Sequence, residues 1–160
     1  MSRWNSRPEA GDEPEWDPAR LRRVAMDLLA RREHTRSELT AKLSARGADK
    51  PDIGPVLDTL EADGLLSEAR FAEAFVRQRT QRGHGPVRIR HELGQRGVDE
   101  SDAEAAMAEA DRDWDELATE VRHGRFGPRK PADFKERARQ ARFLTYRGFT
   151  ADQVRRALES

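Results

Sequence analysis

The segment Leu-Gly-Gln-Arg-Gly-Val at residues 93–98 has two counterparts, Leu-Ser-Ala-Arg-Gly-Ala at 43–48 and Leu-Thr-Tyr-Arg-Gly-Phe at 144–149. In all three segments a leucine precedes the glycine by four residues and an apolar residue follows it directly. The successive Arg-Gly pairs are 50 and 51 residues apart. Self-similarity at a fixed period is typical of arrays of small structural units. The segments therefore predict a unit of about fifty residues that occurs three times.

The spacing inside each segment matches the end of a helix. Glycine is common just after a helix C-terminus because it adopts the left-handed conformation at little cost, and the residue after it contacts one in the last turn. Each helix is then followed by another, with Asp49, Asp99 and Thr150 as the expected N-caps. The residues predicted to form this structural motif are Leu43, Gly47, Leu93, Gly97, Val98, Leu144, Gly148 and Phe149.

The composition favours helices over strands. Among 160 residues there are 22 Ala and 13 Leu but only 9 Val and Ile together, and strands are enriched in branched residues. Leu, Ile, Val and Phe total only 28, whereas 30 basic residues balance 30 acidic ones. The sequence thus predicts an all-α fold with a thin core, built from three tandem three-helix repeats that resemble helix-turn-helix pairs. Because fifty residues bury little surface alone, we expect the repeats to stack into an elongated, curved array.

A further helix is expected to precede each helix-turn-helix pair. Pro18 suits the first turn of the first one, Ser67 suits the N-cap of the fourth, and the seventh, which contains Trp114, is expected to end at Gly124. The predicted division is a disordered N-terminal tail at 1–17, followed by repeats at 18–64, 65–110 and 111–160.

Charge is segregated along the chain despite its overall balance. Residues 70–96 have a net charge of +5, residues 97–120 of −9 and residues 121–147 of +7. Arginine suits both phosphates and carboxylates, and the candidate partner- or DNA-binding residues on the basic helices are Arg77, Arg79, Arg82, Arg88, Arg90, Arg137 and Arg139. We expect Phe143 and Tyr146 to belong to the third core, which leaves the basic stretches without interleaved aromatic residues for stacking bases. A protein partner is therefore favoured over single-stranded nucleic acid.

The sequence offers no pattern typical of an enzyme. There is no cysteine, no phosphate-binding loop and no pair of histidines at helical metal spacing; His91-Glu92 is followed by Gln95 where a zinc motif requires a second histidine. We therefore predict no catalytic residue, no metal, no cofactor and no small-molecule substrate. Because no apolar run approaches the roughly 18 residues of a membrane span, a soluble, cytoplasmic protein is expected.

Five stretches together carry a family resemblance, namely LLARREHTRSEL at 28–39, GLLSEARFA at 64–72, GHGPVRIRHEL at 83–93, RGV at 96–98 and FLTYRGF at 143–149. They resemble the signatures of the RecX family of recombinase regulators. The motifs occur in the family's order at suitable separations, and the resemblance covers about residues 20–160. One departure is Tyr146, where a basic residue is commoner.

The resemblance implies tandem three-helix repeats and a partner. RecX proteins bind the RecA nucleoprotein filament and suppress its ATP hydrolysis, strand exchange and growth, which modulates recombinational DNA repair and the SOS response. The array is thought to lie in the groove of the filament, and a weak contact with single-stranded or duplex DNA is compatible with it. The alternatives are an autonomous helix-turn-helix DNA-binding protein and, less favoured, an enzyme acting on nucleic acid or phosphate.

Overall fold

The structure, a computed structural model, describes residues 15–160, and this part of the chain is all-α. The predicted tail lies outside the described residues except for its last three positions. Of these, Trp16 packs against the first hydrophobic core and Asp17 accepts a hydrogen bond from the amide of Arg20. Order therefore begins before residue 18. The nine helices of this part are α1 (Pro18–Arg31), α2 (Arg36–Ala45), α3 (Lys50–Ala62), α4 (Glu68–Gln81), α5 (Pro86–Gln95), α6 (Glu100–Ala110), α7 (Trp114–Phe126), α8 (Phe134–Arg147) and α9 (Ala151–Glu159).

The Arg-Gly segments end α2, α5 and α8 as expected. Gly47, Gly97 and Gly148 all have positive φ, at 105°, 84° and 99°. The amide of the residue after each glycine donates to the carbonyl of the segment's leucine, at 3.1 Å for Ala48 to Leu43 and 3.2 Å for Phe149 to Leu144. This is the bond that defines the Schellman motif. The second segment has the same bond at 3.1 Å.

The structure places the predicted N-cap residues at the starts of their helices, but one predicted helix end is wrong. Thr35 and Thr150 form complete capping boxes with Glu38 and Gln153, whereas Asp49 and Asp99 occupy N-cap positions without a side-chain capping bond. The prediction that α7 ends at Gly124 is wrong. The helix continues to Phe126, and Gly127, with φ 83°, follows it.

Three hydrophobic clusters divide the helices into α1–α3, α4–α6 and α7–α9, which we call units 1, 2 and 3. The leucines Leu43, Leu93 and Leu144 are fully buried, one in each cluster. Two residues modify the predicted division at 18–64, 65–110 and 111–160. Leu66 packs in the core of unit 1, and Trp114 contacts the cores of units 2 and 3 together. We retain the division as a proposal with that adjustment.

Unit 3 is held together by a buried cation. The guanidinium of Arg122, on α7, has no solvent exposure and donates to the main-chain oxygens of Ala157 at 2.7 Å, Ser160 at 2.9 Å and Arg129 at 3.0 Å. It also contacts the side-chain oxygen of Gln140 at 3.4 Å. Burial lowers the pKa of Arg122. One fork-shaped group on α7 thus binds α8, the C-terminal end of α9 and the α7–α8 loop, in the unit whose hydrophobic cluster has the fewest buried residues of the three.

Candidate partner-binding surface

Unit 2 docks onto unit 1 through its Arg-Gly segment. The hydroxyl of Thr35, the N-cap of α2, donates to the carbonyl oxygen of Arg96 at 2.8 Å. The carboxylate of Glu38 binds the guanidinium of Arg96 at 2.8 Å, and the amide of Arg36 donates to Glu68 at 2.6 Å. The end of α5 thus rests on the start of α2, and we call this contact the first joint.

Unit 3 docks onto unit 2 by the same rule. The amide of Gly85, the N-cap of α5, donates to the carbonyl oxygen of Arg147 at 2.8 Å, and the amide of Val87 donates to that of Gly148 at 3.0 Å. The side chain of Arg147 donates to the carbonyl oxygen of Arg82 at 2.9 Å. In this second joint the end of α8 rests on the start of α5. The repeated docking rule arranges the three units in series.

The glycines of units 2 and 3 are therefore interface residues as well as helix stops. A Cβ on Gly148 would overlap the Cβ of Arg88, and one on Gly97 would lie 2.8 Å from the Cβ of Ser37. No earlier unit covers Gly47 in unit 1, where the same atom would be 3.4 Å from Trp16 Nε1. The Arg-Gly motif consequently ends a helix inside each unit, and in units 2 and 3 it also contacts the preceding unit.

The predicted binding residues Arg79 and Arg88 share an internal carboxylate. Glu92 lies 3.1 Å from Arg79 Nε and 2.9 Å from Arg88 Nε. Burial disfavours the charged form of Glu92, but the hydrogen bond from Arg88 and the charges of Arg79 and Arg88 outweigh it, so its pKa is lowered. These two arginines balance a charge within unit 2 and are less available to a partner than their sequence positions suggest.

Three more of the seven predicted binding residues also have carboxylate partners. Arg90 binds Glu104 at 2.7 Å, Arg139 binds Glu136 at 3.3 Å, and Arg137 lies 3.8 Å from Glu159. The two others, Arg77 and Arg82, are exposed, and neither takes part in the ion pairs found between residues 15 and 160. The structure thus separates the predicted set into five internally paired arginines and two that face solvent unpaired.

A cleft at the second joint brings Arg82 together with cations that sequence analysis did not select. Four arginines line a cleft of about 560 Å³, namely Arg82 directly after α4, Arg112 between α6 and α7, Arg125 on α7 and Arg147 on α8. Its single carboxylate is Glu120, which binds Arg112 at 2.9 Å. We call this opening the arginine cleft. Its net charge is positive because one acid faces four bases.

The floor of the arginine cleft includes an aromatic ring. The guanidinium carbons of Arg147 and Arg125 lie 5.1 Å and 5.7 Å from the centroid of Phe143. Phe143 in turn packs edge-on against Phe126 at 5.3 Å. A guanidinium over an aromatic ring is stabilised by the ring's negative face while its N–H edges remain available to an acceptor.

The prediction that Tyr146 belongs to the third core is wrong. Its side chain is 76% exposed, and the guanidinium carbon of Arg88 lies 5.6 Å from its ring centroid. Phe143 does pack against the third core, although it is only partly buried. The argument that the basic helices lack an exposed aromatic residue for stacking bases therefore fails on α8, where Phe134 is exposed as well.

His84 is buried inside the second joint, directly before Gly85. Burial lowers its pKa, and the charge of Arg88 lowers it further, so the neutral form is favoured. Its Nδ1 atom has no hydrogen-bond partner among the described residues. Protonation of His84 would place a further cation among Arg79, Arg88 and Arg147, which opposes it.

Residues 15–160 offer neither a metal-binding cluster nor a membrane-spanning helix. No group of three or more His, Asp and Glu residues there could hold a metal ion, and no helix in that range is both long and apolar enough to cross a membrane. The helix that a DNA-binding helix-turn-helix would insert into the groove, α6, begins with the acids Glu100 and Asp102. Phosphate would repel such a start, which disfavours the alternative of an autonomous reader of duplex DNA.

The arginine cleft was not visible in the sequence because its members are distant along the chain. Arg147 occurs in the sequence analysis only within the third Arg-Gly segment, and Arg112 and Arg125 are in none of the predicted sets. The one available signal was the excess of basic residues in residues 121–147, which contain nine bases and two acids. This excess indicates a positive charge but does not show which arginines lie close together in the fold.

Three protein-family models match the chain, one for each unit. They describe the first, second and third three-helix domains of RecX and match residues 22–60, 67–107 and 111–158. Together they cover most of the described chain, in the expected order.

Full-length relatives are similar over the same region. The chain is 51% identical over 141 residues to the regulatory protein RecX of Pseudomonas entomophila, covering 88% of this chain and 91% of that protein. It is 55% identical over 137 residues to the regulatory protein RecX of Halorhodospira halophila, covering 86% and 85%.

Solved structures support the fold. A crystal structure of regulatory protein RecX superposes with a TM-score of 0.78 at 22% identity, covering 89% of this chain and 73% of that one. RecX from Lactobacillus salivarius superposes with a TM-score of 0.75 at 20% identity, covering 89% and 94%.

Proposed function

This chain belongs to the RecX family of regulatory proteins, and on that premise we propose that it binds the RecA filament on DNA and inhibits it. Inhibition would extend to ATP hydrolysis, strand exchange and filament growth, as the resemblance implies. The protein acts by occupying a surface and carries out no reaction of its own. We place this activity in the cytoplasm, where DNA-bound RecA is reached.

The observation that carries the proposal is the pair of equivalent joints. Each joint fixes the next unit by hydrogen bonds from the N-terminus of one helix to the carbonyl groups that end another. A series of units held in this way presents a continuous surface to several subunits of a polymer. An ordinary protein interface buries roughly 1,600 Å² in total, and a series of nine helices can supply one partner's share.

Inhibition would follow from the position of the array on the filament. An array lying across neighbouring RecA subunits would obstruct the incoming duplex and restrict the relative movement that accompanies ATP hydrolysis. The exposed cations Arg77 on α4 and Arg82 directly after it would face acidic protein surface or DNA phosphate, with any direct DNA contact weak.

The direct test is the ATPase activity of RecA on single-stranded DNA with the purified chain added. We expect inhibition at substoichiometric or equimolar amounts of the chain. Unchanged hydrolysis at several-fold molar excess would contradict the proposal.

A matched pair of variants tests whether the serial arrangement matters. Gly85→Ala introduces a Cβ that overlaps the main chain of Gly148, whereas Gly94→Ala introduces one with no atom within 4 Å outside its own helix. Both variants should keep their helical circular dichroism. Only Gly85→Ala should lose inhibition, and equal inhibition by the two variants would show that the second joint is not required.

A further inference from the structure

Three of the four guanidinium groups in the arginine cleft lack a carboxylate partner. Arg82, Arg125 and Arg147 line the cleft, and the ion pairs found in residues 15–160 include only the fourth, Arg112. We propose that this cleft binds consecutive phosphates of a single-stranded nucleic acid, and that Tyr146 stacks against one of its bases. The inference deepens the proposed function, which allows a weak direct DNA contact, because it names the site and the ligand for that contact on this chain alone.

The chemistry of the cleft suits phosphate. Arg125 and Arg147 lie over the ring of Phe143 instead of against acids, so their charges are placed without being neutralised. Their positions are fixed in part by the ring and, for Arg147, by its hydrogen bond to the carbonyl oxygen of Arg82. A pre-positioned guanidinium loses less side-chain entropy when it binds a phosphate oxygen than a freely moving one does.

The helix α8 links the cleft to the exposed aromatic ring. Phe143 and Arg147 are four residues apart and face the cleft together. Arg142 and Tyr146 each precede one of these residues by one position and are also four residues apart. They therefore form a second stripe on α8, rotated by about 100° around the helix axis from the stripe that faces the cleft. Both are exposed. A strand that crosses α8 therefore passes from unpaired cations to an aromatic ring and another cation, which is the combination that single-strand-binding surfaces use.

The exposed ring and the concavity favour a single strand over other polyanions. Duplex DNA is stiff over about 150 base pairs and keeps its bases paired, so it neither bends into a cleft formed by three helices nor offers a base to Tyr146. An acidic protein segment would use the cations but has no need of the ring. The ring therefore distinguishes the three ligands experimentally.

The test measures fluorescence anisotropy of a dye-labelled oligo-dT with the full chain and without RecA. At low ionic strength we expect saturable binding that weakens as salt increases, with a log–log slope near −2 for three phosphates. Arg82→Ala and Arg125→Ala should each weaken binding about fivefold to tenfold and reduce the slope by about 0.7. Tyr146→Ala should weaken binding about fivefold or more, and Tyr146→Phe should bind like the parent chain.

The matched control is Arg46→Ala. Arg46 occupies the position in unit 1 that Arg147 occupies in unit 3, and it is exposed and outside the cleft. This variant should bind oligo-dT as the parent chain does. Circular dichroism of each variant would identify any that is unfolded. If an arginine variant unfolds, Tyr146→Phe and Tyr146→Ala still test the inference, because Tyr146 is exposed and its replacement should not affect folding.

Three outcomes would overturn the inference. The first is no binding at low salt, or equal binding by the parent chain, Arg82→Ala and Arg125→Ala. The second is equal affinity for a duplex of the same length, with no effect of Tyr146→Ala. The third is displacement of oligo-dT by polyglutamate at equal charge, again without an effect at Tyr146, which would assign the cleft to an acidic protein. Because RecA is absent, none of these results bears on the proposed inhibition.

Discussion

The main-chain amide of Gly85 donates a 2.8 Å hydrogen bond to the carbonyl oxygen of Arg147, so the backbone at the start of α5 directly contacts the backbone at the end of α8. A side chain at Gly85 would overlap the main chain of Gly148. Two glycines that lie far apart in the sequence thus permit one contact. The first joint achieves the same docking with a threonine hydroxyl, because Thr35 occupies the N-cap position there.

Gly148→Ala should destabilise the chain more than Gly47→Ala. Both glycines have positive φ, which costs an L-residue about 1–2 kcal/mol. The added Cβ at Gly148 also lies 2.8 Å from the main-chain nitrogen of Arg88, whereas at Gly47 it lies 3.4 Å from a side-chain atom of Trp16. Urea unfolding should show that Gly148→Ala lowers the free energy of unfolding by about 3 kcal/mol or more, and that Gly47→Ala lowers it by about 1–2 kcal/mol. Equal losses would mean that the glycine serves only as a helix stop.

Replacing the repeated leucines should destabilise each unit separately. Leu43, Leu93 and Leu144 are fully buried in different clusters. Substitution of any one by alanine should cost about 2–5 kcal/mol. Hydrogen exchange measured by mass spectrometry should show the largest loss of protection in the unit that carries the substitution. Uniform loss over all three units would indicate a single cooperative core.

Arg122→Met should destabilise unit 3 by about 3 kcal/mol. The substitution leaves the main-chain oxygens of Ala157, Ser160 and Arg129 without their donor in a buried position. Arg122→Lys should recover little of the loss, since an ammonium group cannot reproduce the fork of donors. Thermal denaturation followed by circular dichroism is the measurement. Full rescue by lysine would show that charge alone is required.

The first joint should weaken in acid through Glu38. Burial disfavours the charged form of Glu38, but hydrogen bonds from Arg32 and Arg96 outweigh it and lower its pKa. The folded protein therefore binds this proton less readily than the unfolded chain. The contribution of ionised Glu38 to the free energy of unfolding is complete above the ordinary glutamate pKa of 4.5, and it is lost as pH falls through the lower pKa of the folded state.

Glu38→Gln isolates that contribution. At pH 7 the variant should be less stable than the parent chain by about 1–2 kcal/mol, because Arg32 and Arg96 lose their shared carboxylate. In urea titrations at successively lower pH the difference should shrink below pH 4.5. A difference that stays constant down to pH 3 would contradict the assigned role of Glu38.

Arg77→Ala combined with Arg82→Ala should weaken inhibition of the RecA ATPase several-fold. These two predicted binding residues are exposed and unpaired among the described residues, whereas Arg79, Arg88 and Arg90 balance Glu92 and Glu104. Arg90→Ala is the matched control because its charge is internally compensated, and it should inhibit as the parent chain does. If Arg90→Ala is the weaker inhibitor, internal ion pairs do not predict which arginines meet the partner.

The local signals in the sequence predicted the helices well. The leucine, Arg-Gly and apolar positions set the ends of α2, α5 and α8, and Thr35 and Thr150 set two helix starts, because these interactions span fewer than six residues. The prediction that α7 ends at Gly124 failed because it, too, used only a local signal. A glycine inside a helix is tolerated when packing on either side is strong, and here the chain continues to Phe126 and stops at Gly127.

The sequence by itself determined the repeat, the helical class and the family, since these depend on spacing and on contacts close along the chain. Only the tertiary structure decided which arginines are neutralised and which converge. Ion pairs such as Arg90 with Glu104, and the meeting of Arg82, Arg125 and Arg147 in one cleft, depend on how separate helices are oriented. That orientation is set by the joints, where glycines allow main chains from different units to touch.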